Sequence, residues 1–75
     1  MERLIIQVEC HSDYKYAQSP VVFTLQGKRH EIERICARWR EVAKDFFVVQ
    51  IPEGKEYTIS YEEGSDRWHL ERMKE

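Results

Sequence analysis

The two cysteines and three histidines of this 75-residue chain, Cys10, His11, His30, Cys36 and His69, are the side chains best suited to hold a zinc ion. A structural zinc site needs three or four such ligands converging on one tetrahedron, usually seeded by a short pair such as C-x2-C or H-x3-H. Cys10 and His11 are adjacent, so on an extended strand they point to opposite faces, and no other two lie at ligand spacing. No metal and no cofactor are expected. Cys10 and Cys36 form no CxxC pair and read as reduced, small core hydrophobes, with no disulfide expected. His30 and His69 read as ordinary strand residues, one inward and one facing solvent.

Covalent catalysis finds no better footing. The chain has no glycine-rich phosphate loop, no nucleophile elbow, and no Ser, Thr or Cys with an identifiable base nearby. Glu62, Glu63 and Asp66 cluster around Gly64, where a solvated turn explains them better than paired acid and base catalysis. So short a chain also has little length with which to enclose a pocket. The expectation is a protein that is not an enzyme.

The remaining constellation is electrostatic. Residues 28–44 carry six bases against three acids, whereas residues 45–75 carry eight acids against four bases, within a net charge of -2. Lys28, Arg29, Arg34, Arg38 and Arg40, with Trp39 between the last two, form a candidate binding surface. Cations beside an exposed ring are what single-strand nucleic-acid binders use for phosphates and bases. The competing reading has these charges solvating an outer face, with Trp39 in the core. The pI of 5.9 favours the latter, because dedicated nucleic-acid domains are usually strongly basic.

The elements that must position these residues are mostly strands. Leu4, Ile6, Val8 and Cys10 alternate with Ile5, Gln7, Glu9 and His11, the pattern of a half-buried strand. Residues 12–20 lose the period and close on Pro20, which suits a loop. Val21 to Leu25 leads into Gln26-Gly27, where glycine supplies the positive φ of a tight hairpin. Pairing Leu25 with Lys28 places Phe23 opposite His30 and Val21 opposite Ile32 on one face, with Thr24 and Arg29, then Val22 and Glu31, on the solvent side.

Residues 31–44 admit two readings. Ile32, Ile35, Cys36, Trp39, Val42, Ala43 and Phe46 recur at helical spacing, yet no N-cap residue starts a helix there and the hairpin signal precedes it directly. A long strand bent by a bulge near Cys36 is preferred, the bulge letting Ile32 and then Ile35 or Trp39 face the core. Residues 46–51 form a strand by composition, 52–55 turn, 57–61 alternate, 62–66 turn again, and Trp68, Leu70 and Arg72 face Tyr57, Ile59 and Tyr61 from a last strand. The fold class is mainly β, a single domain with a small antiparallel meander of five or six strands, and a helix in 31–44 as the alternative. The expected core is Leu4, Ile6, Val8, Phe23, Ile32, Val48, Ile59 and Trp68.

The string SPVVFTLQGKRHEIERICARWRE, with Phe46-Phe47-Val48-Val49 and EYTISYEEGSDRWHL after it, resembles a group of small uncharacterised bacterial β-meander domains. The shared pattern is an apolar pair, Phe, a Gly-basic hairpin, a strand ending in an aromatic-basic pair, and two strands ending in Trp. Some of those domains are encoded near lesion-bypass DNA polymerases, so the resemblance implies an accessory role without known chemistry. Gln26 departs from the pattern, where the relatives often carry an aromatic or basic residue.

Length and composition allow one small core of marginal stability, which a partner would reinforce. The short apolar run Leu4-Ile5-Ile6 supplies neither a secretory h-region nor a membrane span, so a cytoplasmic protein is expected. The expected function is a binding or accessory module for a protein partner, through a strand edge or an aromatic patch, with no membrane association. A homodimer burying spare aromatics is a further reading. A nucleic-acid accessory module using residues 28–44 is the alternative.

Overall fold

In the computed structural model, residues 4–11 and 19–74 are described; of the segment 12–20 expected as a loop, residues 12–18 lie outside them, while Ser19 and Pro20 belong to a strand, paired with His11 and Cys10. Gln26 and Gly27 both take positive φ, 51° and 82°, as a two-residue hairpin turn of the favoured hand demands. That turn joins β2 (Ser19–Leu25) to β3 (Lys28–Glu31) with Leu25 opposite Lys28, Thr24 opposite Arg29, Phe23 opposite His30 and Val22 opposite Glu31. This is the register the sequence calls for.

Five more strands complete the sheet: β1 (Leu4–His11), β4 (Arg34–Glu41), β5 (Lys44–Gln50), β6 (Glu56–Glu62) and β7 (Arg67–Lys74). All seven are antiparallel in the order β3-β2-β1-β7-β6-β5-β4, and the described residues contain no helix. The meander therefore has seven strands where five or six were expected, and residues 34–41 are strand. The helical spacing there is coincidental, because tertiary pairing with β5 outweighs a periodicity that lacked a cap.

The sheet curls into a half-barrel around one apolar cluster. Phe23 of β2 stacks on His30 of β3 at 5.0 Å and meets Tyr57 of β6 edge-on at 4.9 Å, so side chains from distant strands touch across the curl. The edge strands β3 and β4 follow each other in the chain, joined by Ile32-Glu33. Ile32 donates its N–H to Val21 at 2.9 Å while Glu33 donates to Gln50 at 2.7 Å, so the chain passes from one flank of the curl to the other within two residues.

The core consists of Ile6, Phe23, Phe47, Val49, Ile51, Tyr57, Ile59 and Trp68, with Val8 and Ile32 packed against it. Two expected members are displaced. Leu4 is 44% exposed, at the first described position of β1. Val48 lies on the opposite face, since pairing puts Phe47 and Val49 inward. Cys10 and Cys36 are exposed, not core residues, each next to an irregularity in its ladder. Val22, expected on the solvent side, is buried, and Val21 is exposed where the β1–β2 register skips it.

Candidate binding surface

The basic residues singled out by sequence occupy the two edges of the sheet. Lys28 and Arg29 lie on β3, and Arg34, Arg38, Trp39 and Arg40 on β4. Most of their charge is engaged locally. Arg29 forms an ion pair with Glu9, Arg40 bridges Asp45 at 2.8 Å and Glu63 at 2.9 Å, and Arg34 donates to the Gln50 amide oxygen at 2.8 Å. Hydrogen bonds to Glu63 and then Asp45 raise the Arg40 pKa further above its ordinary value. Arg29, Arg34 and Arg40 are exposed, but Arg38 is not. Its guanidinium lies 5.1 Å from the Phe47 ring centre and donates to the Ser19 hydroxyl at 3.2 Å.

That placement follows from a bulge. Ile35 pairs with Val49 but Ala37 pairs with Val48, leaving Cys36 as the extra residue. Every side chain after it changes face, because the strand period is two. Arg38 therefore turns inward over Phe47 while Trp39 turns outward, stacked on Phe46 with ring centres 5.1 Å apart and planes at 3°. The bulge lies where the sequence places it, and its effect on Trp39 is the reverse of the expected one: the ring is 42% exposed.

A second bulge acts the same way on β7. Leu70 pairs with Ile59 and Arg72 with Thr58, so Glu71 is the extra residue. Arg72, expected to face the core, is turned to the outer face and exposed. Two cross-strand rows then traverse the outer face, one of Trp39, Phe46, Ser60 and His69, the other of Ala37, Val48, Thr58 and Arg72. Trp39, Phe46, Thr58, Glu71 and Arg72 line a shallow groove of about 290 Å³ between them.

The groove's polar groups are unequally occupied. Glu71 accepts a hydrogen bond at 2.5 Å from Ser60, whose side chain is fully buried, and Glu41 accepts one at 3.0 Å from the Trp39 indole N–H. Arg72 has no hydrogen bond or ion pair among the described residues. His69 is partly buried and its Nδ1 has no hydrogen-bond partner. Among the described residues no three His, Cys, Asp or Glu side chains come together as a metal site would need. Ser60 and His69 are cross-strand neighbours, but the Ser60 hydroxyl is closed to solvent and directed at Glu71, so they do not form a nucleophile and base.

Phe46, Thr58, Glu71 and Arg72 were not picked out by sequence reasoning. The β7 bulge decides the faces of Glu71 and Arg72, whereas those of Phe46 and Thr58 follow from Phe47, Val49, Tyr57 and Ile59 turning inward. No family model, curated protein or solved structure matches the chain.

Proposed function

We propose that this chain is a small non-catalytic binding module that receives a protein partner on the outer face of β4 to β7. The observation that carries the reading is the Trp39–Phe46 pair, a parallel aromatic stack left 42% exposed at Trp39 on the face away from the core. Tryptophan at a partly open, preformed surface is the commonest anchor of protein interfaces, because one rigid side chain buries much area at little entropic cost.

The face is favoured over the strand edges. β4 carries a bulge, an inward-turned Arg38 and three further charged residues, the features by which edge strands resist pairing with another chain. This gives the basic segment a role of its own, keeping the two edges single. It also weakens the nucleic-acid alternative, since Arg29 and Arg40 already hold carboxylates and Arg38 is turned from the surface.

The test is affinity capture from the native cell with the wild-type chain and Trp39→Ser, each with and without nuclease. A protein retained by the wild type, lost with Trp39→Ser and indifferent to nuclease supports the reading. Equal capture by both chains rejects it, and capture that disappears with nuclease favours nucleic acid.

A further inference from the structure

Resting on that reading, we infer that the partner received on the outer face is a second copy of this chain, related to the first by a two-fold axis that runs along the strands between β5 and β6. The two cross-strand rows that traverse this face, with the Trp39–Phe46 stack among them, are bounded on both sides by charge. Above the stack lies a row of Glu41, Lys44, Glu62 and Arg67, and at the opposite end a row that begins at Arg34 and ends at Lys74. An apolar middle inside a charged rim is how protein interfaces are built.

The first of these rim rows selects the occupant. Its charges alternate in sign from β4 to β7, negative, positive, negative, positive, so the row read backwards is its own electrostatic complement. A two-fold axis along the strands performs that reversal, laying β4 over β7 of the second copy and β5 over its β6. Glu41 then faces Arg67 of the second copy and Lys44 faces its Glu62, and in an isologous contact each pair occurs twice. The opposite row sets Arg34 over Lys74, also twice, so attraction outnumbers repulsion two to one. Arg72, exposed and with no ion pair among the described residues, comes to lie over the small Ala37 and beside the Trp39 ring of the second copy, where a guanidinium is held by an aromatic face. Face-to-face sheets with aligned strands pack in this way in sandwiches, and the long Glu, Lys and Arg side chains span the gap that the outward curve opens toward the rim. A partner with a surface of one sign meets repulsion from half of the alternating row, and a nucleic-acid strand meets it from Glu41 and Glu62.

Sedimentation equilibrium of the full chain from about 10 µM to about 1 mM reads the association, a range suited to a four-strand face that offers less than the roughly 800 Å² per partner of a stable complex. The wild type is expected to pass from monomer to dimer within it, and Trp39→Ser to remain a monomer. Glu41→Lys and Arg67→Glu should each weaken the dimer about tenfold, because each reversal turns two symmetric attractions into repulsions. An equimolar mixture of these two variants should regain the wild-type association. In the mixed dimer the two reversed positions face each other and the two original ones do likewise, each pair with opposite signs. A dispersed ¹H–¹⁵N spectrum of every variant establishes that it is folded. A wild-type chain that stays monomeric at every concentration, or a dimer indifferent to Trp39→Ser, overturns the inference. A mixture that associates no better than its components overturns it as well. The broader reading is untouched by these outcomes, since it falls only when capture from the cell is the same with and without Trp39.

Discussion

Ala43 closes the β4–β5 hairpin with φ of 60°, a region where an L side chain is crowded by the following carbonyl. Glycine relieves that contact and loses some of the gain to its freer unfolded chain, so Ala43→Gly should stabilise the protein by about 0.5–1 kcal/mol. Urea unfolding measures it, and a loss of stability would mean the turn does not hold Ala43 in that conformation. Cys10 offers a second handle at this scale. The residue is exposed, yet partial desolvation of its thiol raises the pKa above the ordinary 9.0. The folded chain thus holds this proton more firmly than the unfolded one. The resulting stability is complete below the ordinary thiol value and is lost as pH rises through the folded value. Cys10→Ser should therefore lose less stability than the wild type between neutral and strongly alkaline pH. Identical pH profiles of the unfolding midpoint would refute this.

Among the elements, the bulges in β4 and β7 decide what the protein shows to the outside. Removing Glu71 altogether would restore simple alternation with Leu70 still opposite Ile59 and Arg72 still opposite Thr58, so Arg72 stays on the outer face and Ser60 loses its acceptor. Glu71→Ala keeps the bulge and likewise leaves the Ser60 hydroxyl without its acceptor, so each change should cost about 1–2 kcal/mol. A much larger loss for the deletion, read by thermal unfolding, would show that the pairing beyond Leu70 depends on the bulged residue. The same elements explain what could be read from the sequence. The β2–β3 register was legible because Gly27 fixes a two-residue turn and the flanking pairs follow from it. The run Phe46-Phe47-Val48-Val49 announced a strand but has no alternation, so the inward pair was open. Arg72 was assigned inward because the bulge at Glu71 alters parity without any residue type that marks it, and Trp39 was left between core and surface because the bulge expected near Cys36 did not say which residues turn outward. The groove they line was for that reason invisible before the pairing was known.

For the molecule as a whole, the acidic balance and the locally paired arginines predict weak affinity for nucleic acid. Titration with a fluorescent single strand should stay flat from low to moderate ionic strength; binding that falls steeply with salt would contradict this. The curl itself is held by the passage through Ile32-Glu33, whose two amides bond to opposite flanks of the half-barrel. Because β3 and β4 are consecutive, neither can peel away without dragging the other, although edge strands ordinarily fray first. Hydrogen–deuterium exchange should accordingly find the Ile32 and Glu33 amides protected nearly as long as those of Val49 and Ile59, with Val42 and Gly64 at the hairpin tips labelled early. Rapid labelling at Ile32 and Glu33 would mean the rim opens on its own. Slow labelling there would make this dipeptide a cooperative hinge that opens only when the whole protein unfolds, so that the rim carries the stability of the interior.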